Sequence, residues 1–152
     1  MPDEAPNAEY DLDEAIGYLV YKVHQRAFAI LRRELEPVGL TPPQFGALAL
    51  LSREDGLSQT ALCETGATDP NTLVGILDRL ESAGLVVRQQ DVTDRRAHRV
   101  YLTPKGRRTF AKCVPRAVGS AARCWGVLQP AEQDRLRRLL RKVLEARQEQ
   151  KT

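Results

Sequence analysis

The sequence of 152 residues predicts a mainly α-helical fold with one small β-hairpin. Apolar residues recur at helical spacing along most of the chain, and glycine or proline separates the successive stripes. Alternation of period two occurs from His98 to Thr103, where Val100 and Leu102 alternate with more polar residues. A β-rich segment, residues 85–88, precedes it, so two strands joined by the charged turn 91–97 are predicted.

Two helices are predicted ahead of the hairpin region. The first has an apolar stripe of more than six turns that starts at Leu12, and Pro37 and Gly39 end it. Thr41 is a suitable N-cap for the second helix, which begins with two prolines whose missing amide hydrogen is not needed at that position. Gly56 is predicted to end the second helix.

A helix-turn-helix follows in the sequence. Ser58 is predicted to cap a short helix that runs through Thr65, and Asp69 is predicted to cap the next helix with Pro70 at its first position. The second of these helices ends at Gly84, and its buried positions follow the i, i+3, i+4, i+7 spacing. Because a helix-turn-helix places its second helix in a DNA groove, this helix is the candidate reading element.

Two further helices are predicted after the hairpin. The first starts at Thr103 and Pro104 and is expected to kink or restart at Pro115, and the last follows Pro130. Together with the first helix they carry more apolar surface than a module of about 60 residues can cover. A second copy of the chain is the favoured partner, and an intramolecular bundle is the alternative.

The charge distribution indicates a nucleic-acid partner. The net charge is +3, but residues 1–14 hold six acids and no base, which leaves residues 15–152 at +9 (23 basic against 14 acidic residues). Between Val86 and Lys112 there are eight basic residues and only two acids, Asp91 and Asp94. A positive field of this kind attracts phosphate backbones, so the hairpin is interpreted as a DNA-binding wing.

Several motifs in the right order resemble the MarR (multiple antibiotic resistance regulator) family of winged-helix transcription factors. The matching motifs are residues 40–45 (LTPPQF), 57–59 (LSQ) with Leu62, 77–81 (LDRLE), 83–86 (AGLV), 94–96 (DRR) and 102–106 (LTPKG). The resemblance implies a winged helix-turn-helix, residues 40–103, flanked by dimerisation helices, residues 11–38 and 104–149. Residues 1–10 are expected to be a disordered acidic segment.

The resemblance also implies a homodimer that binds a palindromic operator and is released by a small aromatic or anionic effector. Arg96 is similar to the arginine that enters the minor groove, and Asp94 to the acid that holds the wing arginines through a charge-assisted hydrogen bond. The chain departs from the family in the turn 66–68 (GAT) and at Gly75, where a basic residue is frequent. The residues expected at the DNA interface are Asn71, Thr72, Val74, Gly75, Arg79, Asp94, Arg95, Arg96, Arg99 and Lys105.

For some of these residues the sequence leaves a structural alternative open. Arg96 is otherwise a solvated turn residue, and Arg79 either contacts phosphate or pairs with Asp78 or Glu81 on its own helix. The effector is expected near the first helix, where tyrosine and histidine offer hydrogen bonds to a phenol and arginine grips a carboxylate. These effector candidates are Tyr18, Tyr21, His24 and Arg26, and a surface or dimer-interface position is the alternative for His24.

Other classes of function are disfavoured. The two histidines lie far apart and no Cys/His/Asp set has ligand spacing, so neither an enzyme nor a metal or other cofactor is predicted. Three widely spaced cysteines are expected to be reduced in the cytoplasm, with redox sensing as an alternative. No apolar run reaches the length of a membrane span. A winged helix that binds a protein instead of DNA is the remaining rival.

Overall fold

The computed structural model describes residues 11–149, and six helices and three strands make up most of this part. The prediction for residues 1–10 lies outside the described residues. The helices are α1 (Ile16–Leu35), α2 (Pro42–Arg53), α3 (Gln59–Gly66), α4 (Pro70–Ser82), α5 (Pro104–Trp125) and α6 (Pro130–Glu149). The strands are β1 (Leu57–Ser58), β2 (Val86–Gln90) and β3 (His98–Leu102), and a single 3₁₀ turn, Glu36–Val38, follows α1.

Short-range capping determines where most of the helices begin. The Thr41 hydroxyl accepts the backbone N–H of Gln44 and the Gln44 side chain accepts that of Thr41, which forms a complete capping box. Ser58 accepts the N–H of Ala61 at 3.0 Å, and the carboxylate of Asp69 accepts that of Thr72 at 3.0 Å. The predicted caps are therefore confirmed, and the mainly helical fold class with them.

The sheet has one strand more than the sequence indicated. β2 and β3 form the predicted antiparallel hairpin, and β1 pairs with the outer side of β3 through Leu57 opposite Val100. β1 was missed because two residues are too few to show a period. Gly56 lies in the turn directly before β1 and has φ +77°. An added Cβ there would lie 2.7 Å from Cε1 of Tyr101, so this turn requires glycine.

The core lies between the helix-turn-helix and the sheet. Leu48 and Leu51 of α2, Leu77 and Leu80 of α4, and Val100 of β3 are completely buried. α5 reaches the same core through Cys113 and, at its edge, through Phe110, whose ring stacks on that of Phe45 at 5.6 Å between centroids. The core therefore fixes the wing and the reading helix on one rigid support.

Two helix boundaries differ from prediction. α1 begins at Ile16 instead of Leu12, after an Ala15 that offers no side-chain cap. α5 runs without interruption through Pro115, so the proline does not restart it. Its missing N–H removes one bond of the helical ladder, and the remaining bonds and the packing of α5 on α1 keep the helix continuous.

Much apolar surface on α1, α5 and α6 stays exposed in the single chain. Ile16 is 79% exposed, Val118 64%, Val143 72% and Leu144 69%. Of the described side chains of α6, only Gln133 and Leu136 are even half-buried. Within residues 11–146 most of the apolar stripe of α6 is left uncovered, which argues against the alternative of an intramolecular bundle for this helix.

Candidate nucleic-acid interface

The tip of the wing presents two arginines on a turn that the backbone holds tightly. The Asp94 carboxylate accepts the backbone N–H of Arg96 at 2.9 Å, and the Gln90 side chain donates to the carbonyl of Arg95 at 2.6 Å. Both arginines are exposed, and within residues 11–146 neither guanidinium has a hydrogen-bond or ion-pair partner. They are therefore available to an external anion.

Asp94 was expected to hold the wing arginines through their guanidinium groups. In the structure it does not. Its side chain bonds the backbone of the turn, and the acid that binds a wing guanidinium is Asp91. Asp91 is 8% exposed and accepts hydrogen bonds from Thr93 and, at 2.5 Å, from Nε of Arg99. These bonds, first those from Thr93 and then that from Arg99, hold the pKa of Asp91 far below its ordinary value.

Arg99 links the wing to the turn between α2 and β1. While Nε binds Asp91, Nη1 donates to the carbonyl oxygen of Gly56 at 2.9 Å. Two of its donors are therefore engaged inside the chain, where they position the wing, while the side chain stays 47% exposed and its expected DNA contact remains a prediction. Sequence reasoning missed this because Arg99 and Gly56 are 43 residues apart.

Lys105 also has a structural partner. Its ammonium group donates to the carbonyl of Ala83 at 2.8 Å, where it satisfies an open acceptor at the C-terminus of α4. In the free protein Lys105 therefore caps the reading helix, and its expected phosphate contact remains a prediction. Arg107, from the same basic cluster, pairs with Asp55.

The exposed side of α4 carries the predicted reading residues. Asn71, Thr72 and Gly75 are exposed, and Val74 is 41% exposed. These positions lie opposite the buried stripe of α4, so the structure leaves them accessible to a partner.

Arg79 is also exposed on α4, and it does not pair with Asp78 or Glu81, the alternative that the sequence left open. Both acids bind Arg88 of β2, each at 2.6 Å. The hydrogen bonds of Arg88 lower the pKa of Glu81, and the two acids raise the pKa of Arg88. Arg79 has no ion-pair partner among residues 11–146. The unpaired positive charge near the wing is thus smaller than the eight basic residues of the sequence suggest, because Arg88, Arg99 and Arg107 are paired with acids.

The effector candidates on α1 do not converge on a cavity. The rings of Tyr18 and Tyr21 stack on each other at 6.3 Å, and Tyr21, His24 and Arg26 are exposed. None of the four lines any of the described cavities. The ring of His24 instead contacts that of Phe28 at 5.9 Å.

A groove of about 500 Å³ lies one turn further along α1, between α1, the start of α2, and α4. Phe28 and Arg32 contribute from α1, while Thr72, Gly75 and Arg79 contribute from α4. Neither Arg32 nor Arg79 is ion-paired within the described part of the chain. The sequence could have indicated that Phe28 and Arg32 share a helix face with His24, because they follow it at four-residue intervals.

Two of the three cysteine thiols are buried, which disfavours redox chemistry at those two positions. Cys113 is fully buried, and burial raises the pKa of its thiol; Cys124 is 7% exposed, and Cys63 is half-buried. Among residues 11–149 no group of three or more histidine, cysteine, aspartate or glutamate side chains could hold a metal ion. Over the same stretch, no helix is long and apolar enough to cross a membrane.

A reading helix, a wing with unpaired arginines at its tip, and a core that joins them define a winged helix-turn-helix protein of the DNA-binding class. The chain belongs to the MarR family of transcriptional regulators, whose family profile matches residues 38–97. The HTH-type transcriptional repressor Rv2887 of Mycobacterium tuberculosis is 36% identical over 136 residues, which cover 86% of this chain and 94% of that protein.

Solved structures give the same result. BpsR of Bordetella bronchiseptica, solved in a study of its regulation by 6-hydroxynicotinic acid, has a TM-score of 0.83 and 33% identity, covering 88% of this chain and 96% of that one. CouR bound to a 23-mer DNA duplex has a TM-score of 0.81 and 34% identity, covering 88% and 94%. CouR from Rhodococcus jostii RHA1 has also been solved with p-coumaroyl-CoA, at a TM-score of 0.78 and 28% identity, with the same coverage of 88% and 94%.

Proposed function

We propose that this regulator is a cytoplasmic homodimeric repressor that binds a palindromic operator and is released by a small aromatic carboxylic acid or phenol. The observation that carries the proposal is the groove between α1 and α4, because its walls include residues of the reading helix itself. Two relatives support the proposed kind of effector: the DNA binding of BpsR is regulated by an aromatic acid, and CouR binds both DNA and an aromatic acyl thioester.

The dimer would form through residues 11–38 and 104–149, where the exposed apolar positions of α1, α5 and α6 are concentrated. A twofold axis would then place two α4 helices in successive major grooves, about 34–36 Å apart, with the wings in the flanking minor grooves. The negative potential of a narrow minor groove favours an unpaired cation such as Arg96 at the wing tip.

The groove fits a flat anion. Phe28 supplies an aromatic surface, while the unpaired guanidinium groups of Arg32 and Arg79 supply donors for a carboxylate. Because Thr72, Gly75 and Arg79 face both this groove and the DNA side of α4, a bound ligand competes with DNA for them or changes their arrangement. The ligand would bind preferentially to an arrangement of α4 that does not fit the operator. Operator affinity then falls although the protein stays folded.

A gel-shift titration on promoter fragments from the protein's own locus tests DNA binding. Arg96→Ala is expected to weaken operator binding by roughly 5- to 150-fold, the equivalent of about 1–3 kcal/mol. Arg53→Ala, at an exposed position of α2 outside the proposed dimerisation region, is the matched control and should bind as the wild type does. Unchanged affinity of the Arg96 variant, with the dimer intact by size-exclusion chromatography, would remove the wing from the proposal.

The effector is tested with benzoate, 4-hydroxybenzoate and 6-hydroxynicotinate in thermal-shift and operator-release assays. Arg32→Ala should lose the response to the ligand that releases the wild type and should keep its operator affinity. Arg26→Ala, on the exposed part of α1 outside the groove, is the control and should respond normally. A normal response of the Arg32 variant would place the effector elsewhere.

A further inference from the structure

A second cavity, separate from the α1–α4 groove, lies inside the helix-turn-helix. It is a cleft of about 260 Å³ between α2, α3 and the first half of α4. It shares with the groove only Pro43 and Ile76. The residues that line it are Pro43, Gly46, Ala47, Leu50, Leu62, Gly66, Thr68, Leu73 and Ile76.

A glycine in the middle of α2 leaves this space open. A Cβ added to Gly46 would meet no heavy atom within 4 Å, and Gly46 is not among the glycines with positive φ. A glycine inside a helix costs about 1 kcal/mol relative to alanine. Neither backbone strain nor a close approach within the chain requires it, so its effect here is to leave room in the cleft.

The lining determines what the cleft can hold. No charged side chain lines it, and Leu62 and Leu73 are almost completely buried. Thr68 is the one hydroxyl, and it already donates to the carbonyl of Gly66 at 3.1 Å. A charged group placed here would lose its hydration without gaining a partner, whereas an apolar ring would bury its surface against methyl groups.

We propose that this cleft is a binding site for a small uncharged aromatic molecule with a single ring or two fused rings. Apolar cavities of about 150 Å³ are known to hold benzene, so a cleft of this larger volume accepts a bicyclic ring. The site differs from the α1–α4 groove in chemistry, because the groove offers two guanidinium groups and the cleft offers none. Since Leu73 and Ile76 belong to α4, the ligand would pack directly against the reading helix.

Indole is the uncharged probe, and benzoate is its charged counterpart. Isothermal titration calorimetry on the full chain without DNA should show saturable binding of indole with one site per protomer. With methyl-labelled protein, indole should shift the NMR signals of Leu50, Leu62 and Leu73, and benzoate should leave them unchanged. Because no DNA is present, this test can fail without affecting the proposed repressor function, and the reverse also holds.

Gly46→Leu should fill the cleft, raise the melting temperature and weaken indole binding at least tenfold. Gly46→Ala, a smaller change, should raise the melting temperature and weaken binding less. Gly75→Ala is the matched control: it is also a helix-interior glycine with no heavy atom within 4 Å of an added Cβ, but it lines the groove, so indole affinity should stay within twofold. Absence of saturable indole binding, or wild-type affinity in both Gly46 variants, would overturn the proposal.

Discussion

The turn between α3 and α4 contains a residue in an unfavourable conformation, and relieving it should stabilise the protein. Ala67 has φ +48° and ψ +40°, the left-handed region, and is the only residue other than glycine with positive φ in the described part of the chain. The conformation closes the C-terminus of α3, since the N–H of Thr68 donates to the carbonyl of Cys63 at 3.0 Å. We expect Ala67→Gly to keep this hydrogen bond.

The size of the gain follows from two opposing terms. The left-handed region costs an L-residue roughly 1–2 kcal/mol, and glycine does not have this penalty. Glycine has more freedom in the unfolded chain, which offsets about 0.5–1 kcal/mol of the gain. Ala67 is exposed, so no packing is lost. The net stabilisation should be about 0.5–1 kcal/mol, which corresponds to an increase in Tm of about 1–4 °C for a protein of this size.

The assay is thermal and urea unfolding at a fixed protomer concentration, because a dimer's apparent stability depends on concentration. Ala83→Gly is the matched control, since Ala83 is an exposed helix C-cap with φ −79°. It should destabilise by roughly 0.5–1 kcal/mol, because the added chain freedom is not compensated. If Ala67→Gly lowers Tm as Ala83→Gly does, the positive φ is not a source of strain and the reasoning is refuted.

Three further predictions concern the wing and its supports. Arg88→Met should lower stability by at most about 1 kcal/mol but weaken operator binding in a gel shift, because two acids on the reading helix lose their partner; unchanged binding would contradict this. Asp91→Asn should destabilise the protein at pH 7 in urea unfolding. Its difference from wild type should shrink as the pH falls below about 3.8, the ordinary pKa of the carboxyl, because the stability gained from a lowered pKa is complete above that value and is lost as the pH falls towards the folded-state pKa; a pH-independent difference would refute it. Gly56→Ala should cost about 2–4 kcal/mol by the same assay, because its Cβ meets Tyr101 at positive φ, and near wild-type stability would contradict that reason.

The order of helices and the hairpin could be predicted because their signals are short-range. A cap such as Thr41, Ser58 or Asp69 acts on an amide three residues away, and amphipathic stripes repeat within one helix. The exposed positions of α4 followed from the same periodicity. β1 was missed, because a strand of two residues exists only through its pairing with β3.

The partners of the basic residues near the wing could not be predicted in the same way. Arg99 binds Gly56 across 43 residues, Arg107 binds Asp55 across 52, and Lys105 binds Ala83 across 22, so each pairing depends on how the chain packs. The sequence count treated all eight cations as equal, whereas packing leaves Arg95 and Arg96 exposed and engages these three.

The cavities show the same division. The amino-acid order alone was enough to identify the family, the helices and the exposed tip of the wing, because those features depend on neighbours within a few residues. The groove beside Phe28 and the cleft beside Gly46 are spaces between helices, and their shape depends on the distances at which α1, α2 and α4 pack. Those distances result from the burial of the whole core at once, and no local pattern encodes them.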